Sequence, residues 1–186
     1  MNDSKISVRY AKAFFNHALE KGILDNVMQD VKLIFTVSQT VPDFNILLQS
    51  PVIAQKKKQS VIKHTFGDIL NPATFEFLNL IIANKRETFI EQIARNFLTQ
   101  FRELKGIKKA VITTAVPVSE NTKRNIMQFV KNQYNSEVEL EEIVDNKIVG
   151  GFVLRVNDLQ IDASFSSKLK KIREKLIDTT YEKALM

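Results

Sequence analysis

The side chains that most often carry chemistry are scarce in this sequence. It has only two histidines, His17 and His64, and no cysteine. The histidines lie on different predicted helices, and no set of ligands around either one completes a metal site. Phosphate-loop, dinucleotide, zinc-protease and serine-hydrolase motifs are absent. We therefore predict no catalytic residue, no bound cofactor and no metal site.

The paired glycines Gly150-Gly151 are the second candidate for chemistry, because glycine-rich loops often cradle phosphates. A phosphate-binding turn leads from a strand into a helix, whose N-terminal amides face the anion. Here the pair leads instead into the apolar run 152–156. Glycine at the start of a strand more often marks a bulge, a bend or a close backbone approach. We predict a structural role for the pair.

A net charge of +6 raises the possibility of a nucleic-acid partner. The excess is mild and spread out, with 14 basic and 10 acidic side chains in residues 1–105 and 13 and 11 in residues 106–186. Lys56-Lys57-Lys58 is the one cluster, and we expect these lysines to face solvent. Thirteen phenylalanines, mostly at core spacing, favour packing over base stacking. A basic helical adaptor that binds nucleic acid remains the alternative function.

Helical periodicity dominates the first hundred residues. The first helix carries an apolar stripe from Val8 to Leu19 and stops at Gly22, and Pro42 ends the second near Val41. Asn71-Pro72 signals the start of the fifth helix. The predicted apolar stripe of the sixth helix consists of Phe89, Ile90, Ile93, Ala94, Phe97, Leu98 and Phe101. The third and fourth helices are predicted over 44–49 and 54–64.

The pattern changes after Gly106 to mixed α/β. Strands are predicted at 110–115 and 138–144, with a helix between them that Ser119 caps. Residues 152–156 and 159–163 flank Asn157-Asp158, the loop length and composition of a tight hairpin. Its register sets Leu154 against Ile161 on one apolar face, and this face is predicted to be core. The other predicted contacts are an Arg155–Asp162 ion pair and a Ser164 cap on a last helix, which carries Phe165, Leu169, Ile172 and Leu176.

The sequence therefore predicts a mainly α protein. A six-helix bundle over residues 1–105 precedes a small α/β domain over residues 106–186, which contains a β-hairpin and a C-terminal helix. The longest apolar stretches are far shorter than the roughly 18 to 20 residues that span a bilayer. We expect no direct membrane insertion.

Three stretches together resemble the delta subunit of the F-type ATP synthase, the bacterial counterpart of the mitochondrial oligomycin-sensitivity-conferring protein. Residues 9–15 read R-Y-A-K-A-F-F, similar to the family's R-Y-A-x-A-L-F, and residues 80–86 resemble its L-x-x-N-x-R segment. The most specific stretch runs from 149 to 164 and matches the family's glycine, arginine, aspartate and serine spacing. The matched motif residues, expected to be structural, are Gly150, Gly151, Arg155, Asp158, Asp162 and Ser164.

This resemblance implies a non-catalytic stator subunit in the peripheral stalk of the proton-translocating enzyme. It links the catalytic head to the membrane-anchored b subunits and resists rotation of the head during ATP synthesis. The first domain is expected to bind the N-terminal helix of an alpha subunit, and the second to contact the paired b helices. Because the motif begins at Arg9, we expect no transit peptide and a peripheral location on the cytoplasmic side of the bacterial inner membrane.

In the family, the helix-binding groove lies between the first and fifth helices. A small residue such as Ala13 would let a partner helix approach closely. Core packing is the alternative role for the residues of the fifth helix. The residues that the resemblance assigns to alpha-subunit binding are Tyr10, Ala13, Phe14, Leu80, Ile81 and Asn84.

Overall fold

The computed structural model describes residues 4–146, 148, 150–157, 159–170 and 172–173. The chain divides into two compact units, with the boundary between Leu104 and Lys105. Helices build the first unit, and a small sheet forms in the second. The predicted mainly helical class, with a small α/β part towards the C-terminus, is confirmed.

Six α-helices precede the sheet in the chain. Their bounds are α1 Lys5–Glu20, α2 Leu24–Thr40, α3 Pro42–Gln49, α4 Gln55–Phe66, α5 Pro72–Ala83 and α6 Ile90–Lys105. A 3-10 helix at Glu87–Phe89 stands between α5 and α6. The prediction of a bundle with six helices did not include this additional turn, and Phe89 belongs to it instead of α6.

The helix ends follow the predicted signals. Gly22 adopts a φ of +65° after α1, a left-handed conformation that glycine reaches without steric cost. Pro42 occupies the start of α3 immediately after α2 ends. The side chain of Asn71 accepts a hydrogen bond of 3.0 Å from the backbone N–H of Ala73 and so caps α5.

All six helices contribute buried apolar side chains to the core of the first unit, and α1, α2 and α6 contribute the most. On α6 the predicted stripe is buried from Ile90 to Phe101. The Phe97 ring lies 5.5 Å from the ring of Phe14 and 5.4 Å from that of Phe15, at tilted and edge-on angles that aromatic pairs favour. Val8 and Leu19 are 43% and 48% exposed, so the buried stripe of α1 is shorter at both ends than the predicted one.

The prediction that all three lysines at 56–58 face solvent is wrong for Lys58, which is 3% exposed. Its ammonium group lies 2.6 Å from a carboxylate oxygen of Glu87 and donates a 2.7 Å hydrogen bond to the carbonyl of Leu48. Lys58 shares a helix face with Ile62 and Phe66, one and two turns later, both of which are buried. That position leaves the ammonium group inside the protein, where it requires a partner.

The second unit contains a four-stranded sheet in the order β2-β1-β3-β4. The strands are β1 Lys108–Thr114, β2 Val138–Val144, β3 Phe152–Val156 and β4 Leu159–Asp162. Helix α7, Glu120–Tyr134, connects the parallel pair β1 and β2, and the Ser119 side chain caps it as predicted. The buried residues between helix and sheet are Ala110, Ile112, Val130, Leu154 and Val156.

The hairpin has the predicted register, with Leu154 opposite Ile161 and Val156 opposite Leu159. Asn157 has the positive φ, +49°, that its tight turn requires. The prediction that this whole face is core is wrong on β4, where Leu159 and Ile161 are 62% and 50% exposed. The reason is topological, because β4 is an edge strand and the side chains packed with α7 come from the other three strands.

Among the residues described by the structure, no helix combines the length and hydropathy needed to cross a membrane.

Candidate functional site

An open groove of about 380 Å³ lies between α1 and α5 in the first unit. The lining residues are Ala13, Phe14, His17, Ala73, Glu76, Phe77 and Leu80. Five of them are apolar, and two carry ionisable side chains. This is the place in the fold that the family resemblance assigns to partner binding.

Two aromatic rings, those of Phe14 and Phe77, form the floor of the groove. Phe14 and Phe77 stack with their ring centroids 4.0 Å apart and their planes within 4°. Phe14 is only 4% exposed and is held in the core, whereas Leu80 is 52% exposed and projects at the opening. Ala13 is exposed and contributes little bulk. A side chain that enters the groove therefore meets an apolar floor, with space beside the small alanine.

Helix periodicity explains why these positions line one surface. On α5, residues 73, 76, 77 and 80 are spaced three and four apart and share a face. The start of that helix is fixed by Asp30 on α2, whose carboxylate accepts hydrogen bonds of 2.8 Å from the N–H of Asn71 and 2.7 Å from the Thr74 hydroxyl. These bonds anchor α5 beside the rest of the unit and so support the wall of the groove.

The structure brings three of the six predicted partner-binding residues into the groove lining, namely Ala13, Phe14 and Leu80. Tyr10 is half-buried, and its ring centroid lies 6.5 Å from that of Phe77. It therefore borders the same aromatic floor one turn before Phe14 on α1.

Ile81 and Asn84 do not line the groove. Ile81 is 1% exposed and faces an internal apolar cavity of about 20 Å³ together with Phe97, so it is a core residue. Asn84 is exposed at the C-terminal end of α5, where its backbone N–H bonds the carbonyl of Leu80. For Ile81, burial leaves no surface for a partner that docks from outside.

The motif-based assignment missed four lining residues: His17, Ala73, Glu76 and Phe77. The signal that identifies them is helical spacing. Each lies three, four or seven positions from Ala13 or Leu80, which the motif did single out. A sequence motif follows consecutive positions along the chain, whereas the residues that line a groove lie on one face of each helix.

The glycine pair in the second unit lies at a close approach between backbone segments. A Cβ on Gly151 would lie 2.4 Å from the carbonyl oxygen of Ala163, and its φ is +81°. A Cβ on Gly150 would lie 2.6 Å from the ring of Phe165, whose N–H donates a 2.9 Å hydrogen bond to the Gly150 carbonyl. The pair therefore lets two backbone segments approach closely where β4 leads into helical residues 165–170.

The other motif residues support the same junction. Asp162 accepts hydrogen bonds of 2.9 Å from the N–H of Ser164 and 2.6 Å from the Ser167 hydroxyl. The Ser164 hydroxyl accepts from the N–H of Ser167 at 3.3 Å, which confirms the predicted cap. Arg155 donates to Gln160, directly opposite on β4, and its ion pair with Asp162 stays a prediction. Asp158 and Leu176 lie outside the described residues.

One ionic cluster with shifted pKa values ties α7 to the sheet. The pKa of Glu142 is lowered, chiefly by its hydrogen bond from Lys123 and then by the N–H of Val118. The pKa of Lys123 is raised, chiefly by Glu142 and then by Glu120. The Lys123–Glu142 contact is 2.8 Å long, with side-chain exposures of 27% and 19%. These groups fasten a helix to β2, and they lie in the other unit from the groove.

The part of the chain that the structure describes contains no group of three or more His, Cys, Asp or Glu side chains that could hold a metal ion. His17 and His64 are exposed on α1 and α4. What the groove offers is apolar area with a small polar rim. An amphipathic helix presents a matching stripe of side chains at positions i, i+3, i+4 and i+7.

A helical unit with an open apolar groove, followed by a small α/β unit, is an architecture suited to holding other polypeptides. The family model described as ATP synthase delta (OSCP) subunit matches residues 6–176. The chain belongs to the ATP synthase delta (OSCP) subunit family.

Individual relatives match over nearly the full chain. The ATP synthase subunit delta of Christiangramia forsetii is 36% identical over 184 residues, which cover 97% of this chain and 98% of the relative. That of Cytophaga hutchinsonii is 34% identical over 178 residues, covering 96% and 97%. A chain in the mitochondrial ATP synthase of Toxoplasma gondii shares the fold, with a TM-score of 0.74, 21% identity and coverage of 94% and 98%. These matches favour the ATP synthase subunit over the nucleic-acid adaptor as the function.

Proposed function

We propose that this chain is a non-catalytic stator subunit of the peripheral stalk in a bacterial F-type ATP synthase. It links the catalytic head to the b subunits on the cytoplasmic side of the membrane and resists rotation of the head. A stator needs stable contacts with two partners and no active site of its own. Family membership supports the general role, and the two-unit organisation supports a division of the contacts between the units.

The alpha-subunit N-terminal helix is the proposed occupant of the groove between α1 and α5, within a bundle formed by the six helices of the first unit. The observation that carries this assignment is the groove itself. It combines an exposed leucine at position 80, a small residue at position 13 and a stacked aromatic floor. A helix that fills it buries apolar area from both partners, which is the main source of affinity in helix-in-groove recognition.

The b subunits are the proposed partners of the second unit. The exposed side chains of Leu159 and Ile161 on edge strand β4 support this assignment. They continue the apolar face that β3 buries with Leu154, so a partner helix would extend an existing core. Contiguous exposed apolar side chains on a sheet face commonly mark a binding surface.

A titration with a peptide that copies the alpha-subunit N-terminal helix tests the groove assignment. We expect the full-length chain to bind the peptide and Leu80→Asp to weaken binding at least about tenfold, because the aspartate must be desolvated against apolar surface. Ala13→Phe, which fills the groove without adding charge, should also weaken it. Helix content by circular dichroism should stay unchanged in both variants.

Ile46→Asp is the matched control, since Ile46 is 65% exposed on α3 and does not line the groove. It should bind the peptide as the unaltered chain does. Equal affinities for Leu80→Asp, Ala13→Phe and the unaltered chain would refute the groove as the alpha-subunit site.

A further inference from the structure

Glu76 is an isolated charge in the groove. It is exposed, it lines the groove, and it is the only charged residue of α5 between Pro72 and Ala83. The lining positions on either side of it along the helix face, Ala73 and Leu80, are apolar. The packing of α5 in the core does not require a carboxylate at this exposed position, because an apolar or neutral residue there would allow the same packing.

Among the described residues, no side chain or backbone group is hydrogen-bonded or ion-paired with the Glu76 carboxylate. The other ionisable residue in the groove lining, His17, makes no bond to it either. Glu76 therefore contrasts with Asp30, Glu87 and Glu142, whose carboxylates are bonded within their own unit. Its bonding capacity is free for a partner.

Covering the groove with a helix changes the energetics of this carboxylate. In the free chain Glu76 is hydrated, but a helix seated on the groove would remove part of that hydration. A partly buried carboxylate without a counter-charge disfavours the complex, whereas a lysine or arginine on the incoming helix would offset the loss. The apolar floor offers little discrimination between amphipathic helices, so the charge at its rim is what can select among them.

We propose that Glu76 is the specificity-determining residue of the groove, and that it pairs with a lysine or arginine side chain on the alpha-subunit helix. The pair fixes the register and orientation of that helix over the floor formed by Phe14 and Phe77. This inference rests on the proposed function of the groove and adds the chemistry that its partner must carry.

The test measures the dissociation constant of the full-length chain and its variants for the alpha-subunit peptide at 0.01 M and 1 M salt. The screening length falls from about 30 Å to about 3 Å over this range. We expect Glu76→Gln to weaken binding roughly three- to tenfold at low salt, and most of that difference to vanish at high salt. Glu76→Lys should weaken binding further, because two like charges then face each other.

Glu103→Gln provides the matched control, because it removes the same charge from an exposed residue of α6 that does not line the groove. Its affinity should equal that of the unaltered chain. In a second series each basic residue of the peptide is replaced by glutamine in turn. One of these peptides should bind the unaltered chain and Glu76→Gln equally well, which identifies the partner of the ion pair.

The inference is overturned if Glu76→Gln binds as tightly as the unaltered chain at low salt, or if no single replacement in the peptide removes the effect. In either case, loss of binding by Leu80→Asp would leave the proposed function standing. If the unaltered chain does not bind the peptide at all, the proposed function of the groove fails, and this inference fails with it.

Discussion

Lys58 shows how one residue can be misassigned from its neighbours in sequence. In the run Lys56-Lys57-Lys58 two side chains are exposed, and the third forms a buried ion pair with Glu87. A helix turns about 100° per residue, so adjacent lysines point in different directions. A run of charged residues on a helix is therefore fully exposed only where every member lies on the side of the helix that faces solvent.

We predict that Lys58→Met lowers the free energy of unfolding of the first unit by roughly 3 to 5 kcal/mol, because it leaves the Glu87 carboxylate buried without its counter-charge. Chemical denaturation followed by circular dichroism measures the change. The matched control is Lys57→Met, an exposed neighbour, which should stay within about 0.5 kcal/mol of the unaltered chain.

Adding Glu87→Leu to Lys58→Met should recover most of the lost stability, since the replaced pair is then apolar on both sides. Equal losses for Lys57→Met and Lys58→Met would contradict the buried pair.

At the scale of elements, α7 is fastened to β2 by the Lys123–Glu142 ion pair as well as by its apolar side. The lowered pKa of Glu142 means that the folded second unit favours the ionised carboxylate. Such a group stabilises the fold at pH values above its unfolded pKa, near 4.5, and the stabilisation is lost as the pH falls through the folded value. The Lys123–Glu142 ion pair should therefore stabilise the second unit at neutral pH, and this stabilisation should be lost in acid.

Glu142→Gln is accordingly expected to lower the melting temperature of the second unit by a few degrees at pH 7. The difference from the unaltered chain should shrink as the pH falls below about 4.5, because both chains then lack the charge. Thermal melts between pH 7 and pH 3 measure it. Glu141→Gln is the control on the same strand, where the ion pair with Lys109 is about half exposed and contributes little. If the difference in melting temperature were the same at every pH, the Lys123–Glu142 ion pair would be ruled out as its cause.

For the whole molecule, the proposed stator role requires two binding surfaces on two units. The groove belongs to the first unit, and the exposed β4 side chains belong to the second. If each unit holds its own partner, then a change in one surface should leave the other contact intact. This separability distinguishes a linking subunit from a protein with a single binding site.

We predict that Ile161→Asp abolishes co-purification with the b subunits while affinity for the alpha-subunit peptide stays unchanged, because the aspartate would be desolvated against apolar surface. Leu80→Asp should show the reverse. Gln160→Asp is the matched control, since Gln160 is the exposed neighbour of Ile161 on the opposite face of β4. Retention of the b subunits by Ile161→Asp would exclude this strand as the stalk contact.

The sequence by itself determined the features that depend on neighbouring residues. Backbone conformation and local hydrogen bonding act over a few residues, and they set the helix boundaries at Gly22, Pro42 and Asn71. They also set the hairpin register around Asn157. The family motifs also follow from residue order, and they identify three of the residues that line the groove.

Only the tertiary structure decided which apolar and charged side chains are covered. Ile81 and Leu80 are adjacent and chemically similar, yet one is in the core and the other is at the groove opening. Ile161 matches Leu154 across the hairpin, but only Leu154 packs with α7. Lys58 and Glu87 meet across an interval of 29 residues. Burial depends on what packs against a residue from elsewhere in the chain, and local sequence does not contain that information.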